Sequence, residues 1–169
     1  MTGGAGSPGR SAGDPVVDGA GIFRSAAARS QVYEAYDRLL GLWPVPHEDL
    51  DVDTRFGRVH VLTSGPAGGT PVLLLHAASM GAPSWAPTVE PLVRAGFRVY
   101  AVDHPGEANR SMLTDPRRFP RNDDEVAALY GEVADALGIE RGPVVGASAG
   151  AQRALRYALA HPGRITHLA

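Results

Sequence analysis

From residue 71 onward, short apolar runs alternate with longer stretches in which apolar residues recur at helical spacing. The runs at 71–75, 97–102 and 143–145 lack the alternation of a half-exposed strand, which is typical of strands buried on both faces of a parallel sheet. A helical pattern follows each run, in one case after a polar segment at 107–121. This order predicts an α/β fold, with a three-layer, open, mostly parallel sheet and crossover helices on both faces.

Two of the helical patterns have recognisable ends. Gly96 ends the first, and the second begins at Asn122 or Asp123 and ends at Gly138, as expected for side-chain N-caps and glycine C-caps. The apolar positions are Trp85, Val89, Leu92 and Val93 in the first pattern and Val126, Leu129, Tyr130, Val133 and Leu137 in the second.

The segment before the first buried run predicts a helix and a strand pair. Residues 25–43 carry four large apolar side chains at steps of four, three and four, which favours a helix with this stripe in the core. Ser25 or Ser30 is suited to cap it, and Pro44 stops it. The stripe consists of Val32, Tyr36, Leu39 and Trp43. Residues 51–64 predict two short strands joined by a turn.

Length and composition indicate one globular domain. Residues 1–21 are rich in glycine, alanine, serine and proline, and such a segment buries too little apolar surface to offset its ordering entropy, so it is predicted to be a disordered tail. Residues 22–169 are enough for one core and too few for two large ones. No apolar run approaches the ~18 residues of a membrane span, and no signal peptide is evident, so a cytoplasmic location is expected.

Charge and cysteine content exclude several classes of partner. The net charge of −2 argues against nucleic acid or an anionic membrane as the main partner. The chain has no cysteine, which excludes disulfides and cysteine metal sites, and its His, Asp and Glu residues do not have metal-site spacing. We therefore expect neither a metal nor a cofactor.

The strongest chemical signal is the sequence Gly-Ala-Ser-Ala-Gly at 146–150, between an apolar strand and a helix. In a G-x-S-x-G turn the serine adopts strained backbone angles that project its hydroxyl above the sheet. The positions two before and two after face crowded backbone, where only glycine fits. The helix that follows directs the Ala149 N–H and its dipole at a developing oxyanion. The motif predicts that Ser148 is a nucleophile.

A glycine-rich turn between a strand and a helix is also typical of two kinds of nucleotide-binding site. A phosphate-binding P-loop requires G-K-[ST], and the chain contains no lysine. A dinucleotide site requires G-x-G-x-x-G and an acidic residue about 20 positions further on, and neither is present. A purely structural turn remains the alternative to a nucleophile.

Three motifs follow one another along the chain: Leu-Leu-Leu-His at 73–76, Val-Asp-His-Pro-Gly at 102–106 and the serine turn at 146–150. With these motifs in this order, the chain resembles the α/β-hydrolase superfamily over about residues 49–169. It is most similar to bacterial esterase-type members that carry a D-x-x-G-E or D-x-x-G-D loop. The resemblance implies a second oxyanion donor, the Ala78 amide, in the loop that begins His-Gly in the family. Here the residue after the histidine is Ala77. Alanine at this position is compatible with an oxyanion hole only if the backbone there does not need a positive φ. The family's D-x-x-G-x-G-x-S pattern is also altered at 103–111.

The resemblance also implies a catalytic acid and histidine downstream of the serine. No Asp or Glu follows Ser148, and the only later histidines are His161, at a helix end, and His167, at the start of the next strand. Neither is expected to be the general base. The chain is thus expected to be the N-terminal portion of a serine hydrolase, C-terminally truncated as the sixth strand begins and inactive alone. The family strand order 1-2-4-3-5-6-7-8 would then leave the elbow strand at or beside an open edge, which predicts self-association.

Four further polar residues have predicted roles near this site. His76 and Asp103 are expected to be structural, and His104 and Glu107 line the pocket or face water. The predicted function is hydrolysis of a carboxylic ester or related acyl bond in a small molecule. The elbow serine disfavours dehalogenases and epoxide hydrolases but leaves esterase, lipase, thioesterase, haloperoxidase, carbon–carbon hydrolase and acyltransferase open. The alternative is a degenerate, non-catalytic binding or assembly module.

Overall fold

A seven-stranded sheet forms the centre of the protein in a computed structural model that describes residues 22–169. The tail predicted for residues 1–21 lies outside the described residues. The strands are β1 (His47–Thr54), β2 (Gly57–Ser64), β3 (Thr70–Leu75), β4 (Phe97–Val102), β5 (Met112–Leu113), β6 (Gly142–Gly146) and β7 (Ile165–Leu168). The helices are α1 (Ala26–Leu40), α2 (Ala86–Arg94), α3 (Asp123–Ala136) and α4 (Ala149–Ala160).

The strand order is β1-β2-β4-β3-β6-β7, with β5 paired to β2. The pairs β1–β2, β2–β4 and β2–β5 are antiparallel, whereas β4, β3, β6 and β7 are mutually parallel neighbours. Without the short β5, this is the order 1-2-4-3-5-6 that the family resemblance implies. The predicted α/β class is therefore confirmed, and β7 is the last strand at one edge of the described sheet.

Both faces of the sheet are covered, because its central strands are apolar on both sides. In β3, Leu73 and Leu75 belong to one buried cluster while Val72 and Leu74 belong to the other. The first cluster contains Leu129, Tyr130 and Val133 of α3 and Ala154 and Tyr157 of α4. The second contains Ala86 and Val89 of α2. The three-layer prediction is confirmed, since alternate side chains of one strand enter different cores.

Helix α1 begins as predicted but buries less of its stripe. The Ser25 hydroxyl accepts a hydrogen bond from the Ala28 N–H at 3.1 Å, and the helix ends at Leu40. Tyr36 is buried, whereas Leu39 is 47% exposed, so its predicted core position was wrong. Trp43 lies beyond the helix, where it is buried and its Nε1–H donates to the Ser64 hydroxyl at 2.9 Å. Packing around Tyr36 sets the helix rotation and leaves Leu39 at the surface.

Several predicted boundaries also change. The first strand starts at His47, and the helix predicted through Trp85 is a 3₁₀ turn followed by α2. The polar segment contains β5, whose two residues pair with the start of β2 and are too few to show a pattern. His167 lies within β7 rather than at its start.

No helix in the described part of the chain is long and apolar enough to cross a membrane. The expected self-association remains a prediction.

Candidate functional site

Ser148 lies at the turn between β6 and α4 with φ 52° and ψ −115°. It is one of two non-glycine residues with positive φ among residues 22–169, and such a conformation costs about 1–3 kcal/mol unless its surroundings enforce it. The residue is exposed, and no described residue forms a hydrogen bond with its hydroxyl. The turn therefore presents a free hydroxyl at the carboxyl end of a parallel strand.

The two motif glycines are sterically required. A Cβ on Gly150 would overlap the Leu75 carbonyl oxygen and lie 2.7 Å from the His76 carbonyl oxygen. A Cβ on Gly146 would lie 2.5 Å from the Ala151 nitrogen. Both contacts involve backbone, which cannot move aside as a flexible side chain can. The crowding predicted from the spacing is thus observed, and it holds α4 directly against the end of β3.

The backbone amides of the two proposed oxyanion donors have no acceptor in the described part of the chain. One is Ala149, the first residue of α4, and the other is Ala78, in the loop after β3. The Ala147 N–H donates to the Leu75 carbonyl at 3.0 Å, which fastens the serine turn to the strand that leads into this loop. Free N–H groups at a helix N-terminus are suited to hold a developing negative charge. The oxyanion roles of Ala149 and Ala78 remain predictions.

Alanine at position 77 is compatible with this loop. The positive φ falls on Ser79, at 60°, and not on Ala77 or Ala78. The Ser79 N–H donates to a Glu107 carboxylate oxygen at 2.9 Å. The glycine of the related loops is therefore not needed for backbone reasons at this position.

His76 has a structural role. Its Nε2 accepts the His104 backbone N–H at 3.0 Å, so the ring proton is on Nδ1, which lies 2.8 Å from the Ala77 carbonyl and donates to it. Both ring nitrogens are engaged and the ring is buried. This arrangement agrees with the structural prediction and excludes His76 as a base for Ser148.

His104 is 3% exposed and does not face bulk water. Its Nδ1 lies 2.9 Å from the Tyr130 hydroxyl, and the two rings stack. Burial, together with the nearby Arg153 guanidinium and His76, holds the pKa of His104 well below its usual value, so the ring is neutral. His104 lines a cavity of about 230 Å³ that also reaches Ala149 and Arg153. His104 therefore lies beside a cavity and away from bulk water, and its role in a substrate pocket remains a prediction.

Asp103 fixes the loop that follows β4. One carboxylate oxygen accepts the Ala82 N–H at 2.6 Å, and the other accepts the Arg110 N–H at 3.2 Å and the Tyr36 hydroxyl at 2.9 Å. The side chain is fully buried. Burial, reinforced by the Asp103 carboxylate, raises the pKa of Tyr36, which therefore remains a donor. The predicted structural role of Asp103 is confirmed.

No sequence pattern singled out His60, which bridges two carboxylates. Its Nδ1 lies 3.0 Å from Asp103 and its Nε2 lies 2.8 Å from Asp49. Burial alone would lower the pKa of His60, but its hydrogen bonds to Asp103 and Asp49 raise it above the usual value. Because His60 occurs within an alternating strand pattern, only the pairing of β2 with β1 and with β4 reveals its acidic neighbours.

This bridge predicts that stability falls as the pH rises. Because the pKa of His60 is raised on folding, the charged ring stabilises the fold fully below about pH 6.5, its usual pKa. The contribution is lost as the pH rises through the folded pKa. Urea unfolding of the wild type between pH 6 and pH 9 should therefore show a steeper decline than that of His60→Gln, whose side chain does not titrate. Parallel pH profiles would contradict the assignment.

The two histidines after Ser148 are not placed to act on it. His161 follows the 12-residue helix α4, which puts it about 18 Å along the axis from the serine turn. Its backbone N–H donates to the Tyr157 carbonyl at 3.0 Å and its ring packs on the Tyr157 ring. His167 is exposed on β7. Neither histidine contacts the serine hydroxyl, in agreement with the prediction.

Glu107 does not simply face water. It forms an ion pair with Arg153 of α4, and the two side chains are 14% and 12% exposed. Sequence analysis missed Arg153, since a single arginine on a helix gives no sign of its partner. Among residues 22–169, no group of three or more histidine, aspartate or glutamate side chains is arranged to hold a metal ion.

Comparison with known proteins places this architecture in a family. A model of the alpha/beta hydrolase fold matches residues 70–169. The chain is 32% identical over 143 residues to carboxylesterase YbfK of Bacillus subtilis, covering 85% of this chain and 47% of that protein. It is 40% identical over 121 residues to a 2-hydroxy-6-oxononadienedioate/2-hydroxy-6-oxononatrienedioate hydrolase of Cupriavidus pinatubonensis, covering 70% of this chain and 40% of that protein.

A solved structure is similar to this protein in both fold and sequence. The crystal structure of naproxen esterase (carboxylesterase NP) from Bacillus subtilis is similar with a TM-score of 0.77 and 32% identity, over 83% of this chain and 48% of that one. The chain spans about half the length of the curated relatives it matches. Sheet order, serine turn and matched residues agree, and the protein belongs to the α/β-hydrolase fold family.

Proposed function

We propose that the protein is a serine hydrolase that cleaves a carboxylic ester or related acyl bond through Ser148. The observation that carries the proposal is the strained backbone of this serine, which presents a hydroxyl without a partner in the described residues. Backbone strain of this kind concentrates at functional sites. The names of the Bacillus subtilis relatives, both carboxylesterases, support a carboxylic ester as the substrate class.

The proposed reaction begins with attack of the Ser148 oxygen on the acyl carbon as its proton passes to a general base. The carbonyl oxygen becomes an oxyanion, held by the Ala149 and Ala78 amides; each such donor contributes about 3 kcal/mol, or about 100-fold in rate. The intermediate then expels the alkoxide, which takes a proton, and leaves an acyl-enzyme. Water hydrolyses this ester and restores the serine.

The second candidate is a non-catalytic module that binds or assembles through the same fold. It is favoured by one observation: none of the histidines among residues 22–169 contacts the Ser148 hydroxyl. The two candidates differ in what they require of Ser148. A hydrolase needs a reactive hydroxyl, whereas a binding module does not.

Covalent labelling of the whole chain with a fluorophosphonate distinguishes the two. We expect slow but selective phosphonylation of Ser148, since an oxyanion hole alone retains about 10³-fold catalysis over water. Mass spectrometry of the digested protein locates the adduct, and Ser148→Ala should abolish it. Ser79, the other described serine with positive φ, is the internal comparison and should remain unlabelled. Equal labelling of folded and urea-denatured protein would refute the hydrolase proposal.

A further inference from the structure

The Glu107–Arg153 ion pair joins three segments around the proposed site. One Glu107 oxygen pairs with the Arg153 guanidinium, and the other accepts the Ser79 N–H at 2.9 Å. A second guanidinium nitrogen of Arg153 donates to the His76 carbonyl at 3.4 Å. The pair therefore connects the loop after β4 with the loop after β3 and with the helix that begins at the serine turn.

The two contacted backbone groups bracket the proposed oxyanion loop. His76 and Ser79 lie on either side of Ala77 and Ala78, whose amides have no acceptor in the described structure. Ser79 holds a φ of 60°, which is costly for a residue with a Cβ. A hydrogen bond to a charged carboxylate is stronger than one to a neutral acceptor, so Glu107 favours this conformation of the loop.

Arg153 carries the restraint to the nucleophile. It lies five residues after Ser148 on the same helix, so a rigid connection from Glu107 through Arg153 sets the distance between the loop and the serine turn. Both side chains are largely buried, and salt screening of such a pair is weak. A buried ion pair often adds little net stability compared with apolar residues, which leaves room for a role in positioning.

Resting on the proposed function, we propose that Glu107 and Arg153 are positioning residues that hold the Ala77–Ala78 segment against Ser148. Glu107 acts through the Ser79 amide, and Arg153 acts through the His76 carbonyl and through Glu107. Neither residue touches the acyl group. Removing the carboxylate is expected to release the loop while the serine turn, fixed by its own glycines, stays in place.

The test compares Glu107→Ala and Glu107→Gln in the full chain. A displacement of about 1 Å in a reacting geometry costs about 100-fold in rate, so Glu107→Ala should lower the rate constant for fluorophosphonate labelling of Ser148 by about that factor. Glutamine keeps an oxygen acceptor for the Ser79 N–H, and Glu107→Gln should recover most of the loss. Hydrogen exchange of the Ser79 amide, measured by NMR, should accelerate in the alanine variant and less in the glutamine variant.

Asp135→Asn is the matched control. It removes the ion pair between Asp135 of α3 and Arg164, which follows α4, at a distance from the serine turn. It should leave both labelling and Ser79 exchange unchanged. Unchanged labelling in folded Glu107→Ala would overturn the positioning role, even if the melting temperature falls. If wild-type Ser148 is not labelled, the proposed function fails. In that case the hydrogen exchange of the Ser79 amide tests separately whether Glu107 holds the loop. Exchange as slow as in the wild type in both Glu107 variants would overturn that role.

Discussion

The purified 169-residue polypeptide is expected to hydrolyse p-nitrophenyl butyrate no faster than its Ser148→Ala variant. In the described structure the serine hydroxyl has no hydrogen-bond partner, and a neutral hydroxyl is a poor nucleophile without a base. His76 has both ring nitrogens engaged, and His161 lies at the far end of α4. Loss of one triad member lowers turnover by about 10⁴- to 10⁶-fold, and the residual catalysis comes from the oxyanion hole and binding, which Ser148→Ala retains.

Added imidazole provides the positive side of this experiment. A small base with a pKa near 7 can approach an exposed hydroxyl. Imidazole should therefore raise, in a concentration-dependent manner, the rate at which wild-type protein releases p-nitrophenol from the ester. The background reaction of imidazole with the ester is subtracted with Ser148→Ala, which keeps the fold but lacks the hydroxyl. Turnover in plain buffer that Ser148→Ala abolishes would contradict the prediction and reveal a base within the chain.

Gly150→Ala is expected to destabilise the fold by about 3 kcal/mol or more, at the upper end of the usual cost of overpacking. The new Cβ would overlap the Leu75 carbonyl oxygen and lie 2.6 Å from the Leu75 carbonyl carbon. Leu75 belongs to β3, which pairs on both sides with β4 and β6, so its backbone cannot shift without breaking a ladder. Alanine would otherwise stabilise a helix by up to about 1 kcal/mol relative to glycine. The expected change in the free energy of unfolding is therefore opposite in sign to the one that helix propensity predicts.

Gly163→Ala is the control for this substitution. A Cβ at Gly163 would meet no atom within 4 Å, so the variant should unfold within about 0.5 kcal/mol of wild type, as surface substitutions usually do. Urea unfolding followed by circular dichroism measures both variants. A Gly150→Ala protein as stable as Gly163→Ala would show that α4 does not press on the end of β3 as described.

Much of the site was accessible from sequence because its constraints are local. The spacing of Gly146, Ser148 and Gly150 encodes a strand-to-helix turn. At Gly146 the crowding comes from Ala151 of the same turn, whereas at Gly150 it comes from the end of β3. Ser25 and Asn122 likewise cap helices through N–H groups three residues away. Contacts of this range leave a pattern in the chain that a single sequence reveals.

Contacts between distant residues could not be predicted in the same way. His60 meets Asp103 across 43 positions, and Glu107 meets Arg153 across 46. A histidine in a strand or an arginine on a helix looks the same with or without such a partner. The rotation of α1, which exposes Leu39, depends similarly on what packs beside Tyr36.

By itself, the sequence determined the order of the strands and helices other than β5, the two apolar faces of the central strands and the serine turn. These follow from hydrophobic periodicity and from the glycine spacing of the turn, which are patterns within short segments of the chain. Only the tertiary structure decided that Ser79 rather than Ala77 takes the positive φ, and that Glu107 and Arg153 hold the loop beside it. Those outcomes depend on strand pairing and burial, which bring together charges and amides that are far apart in the chain.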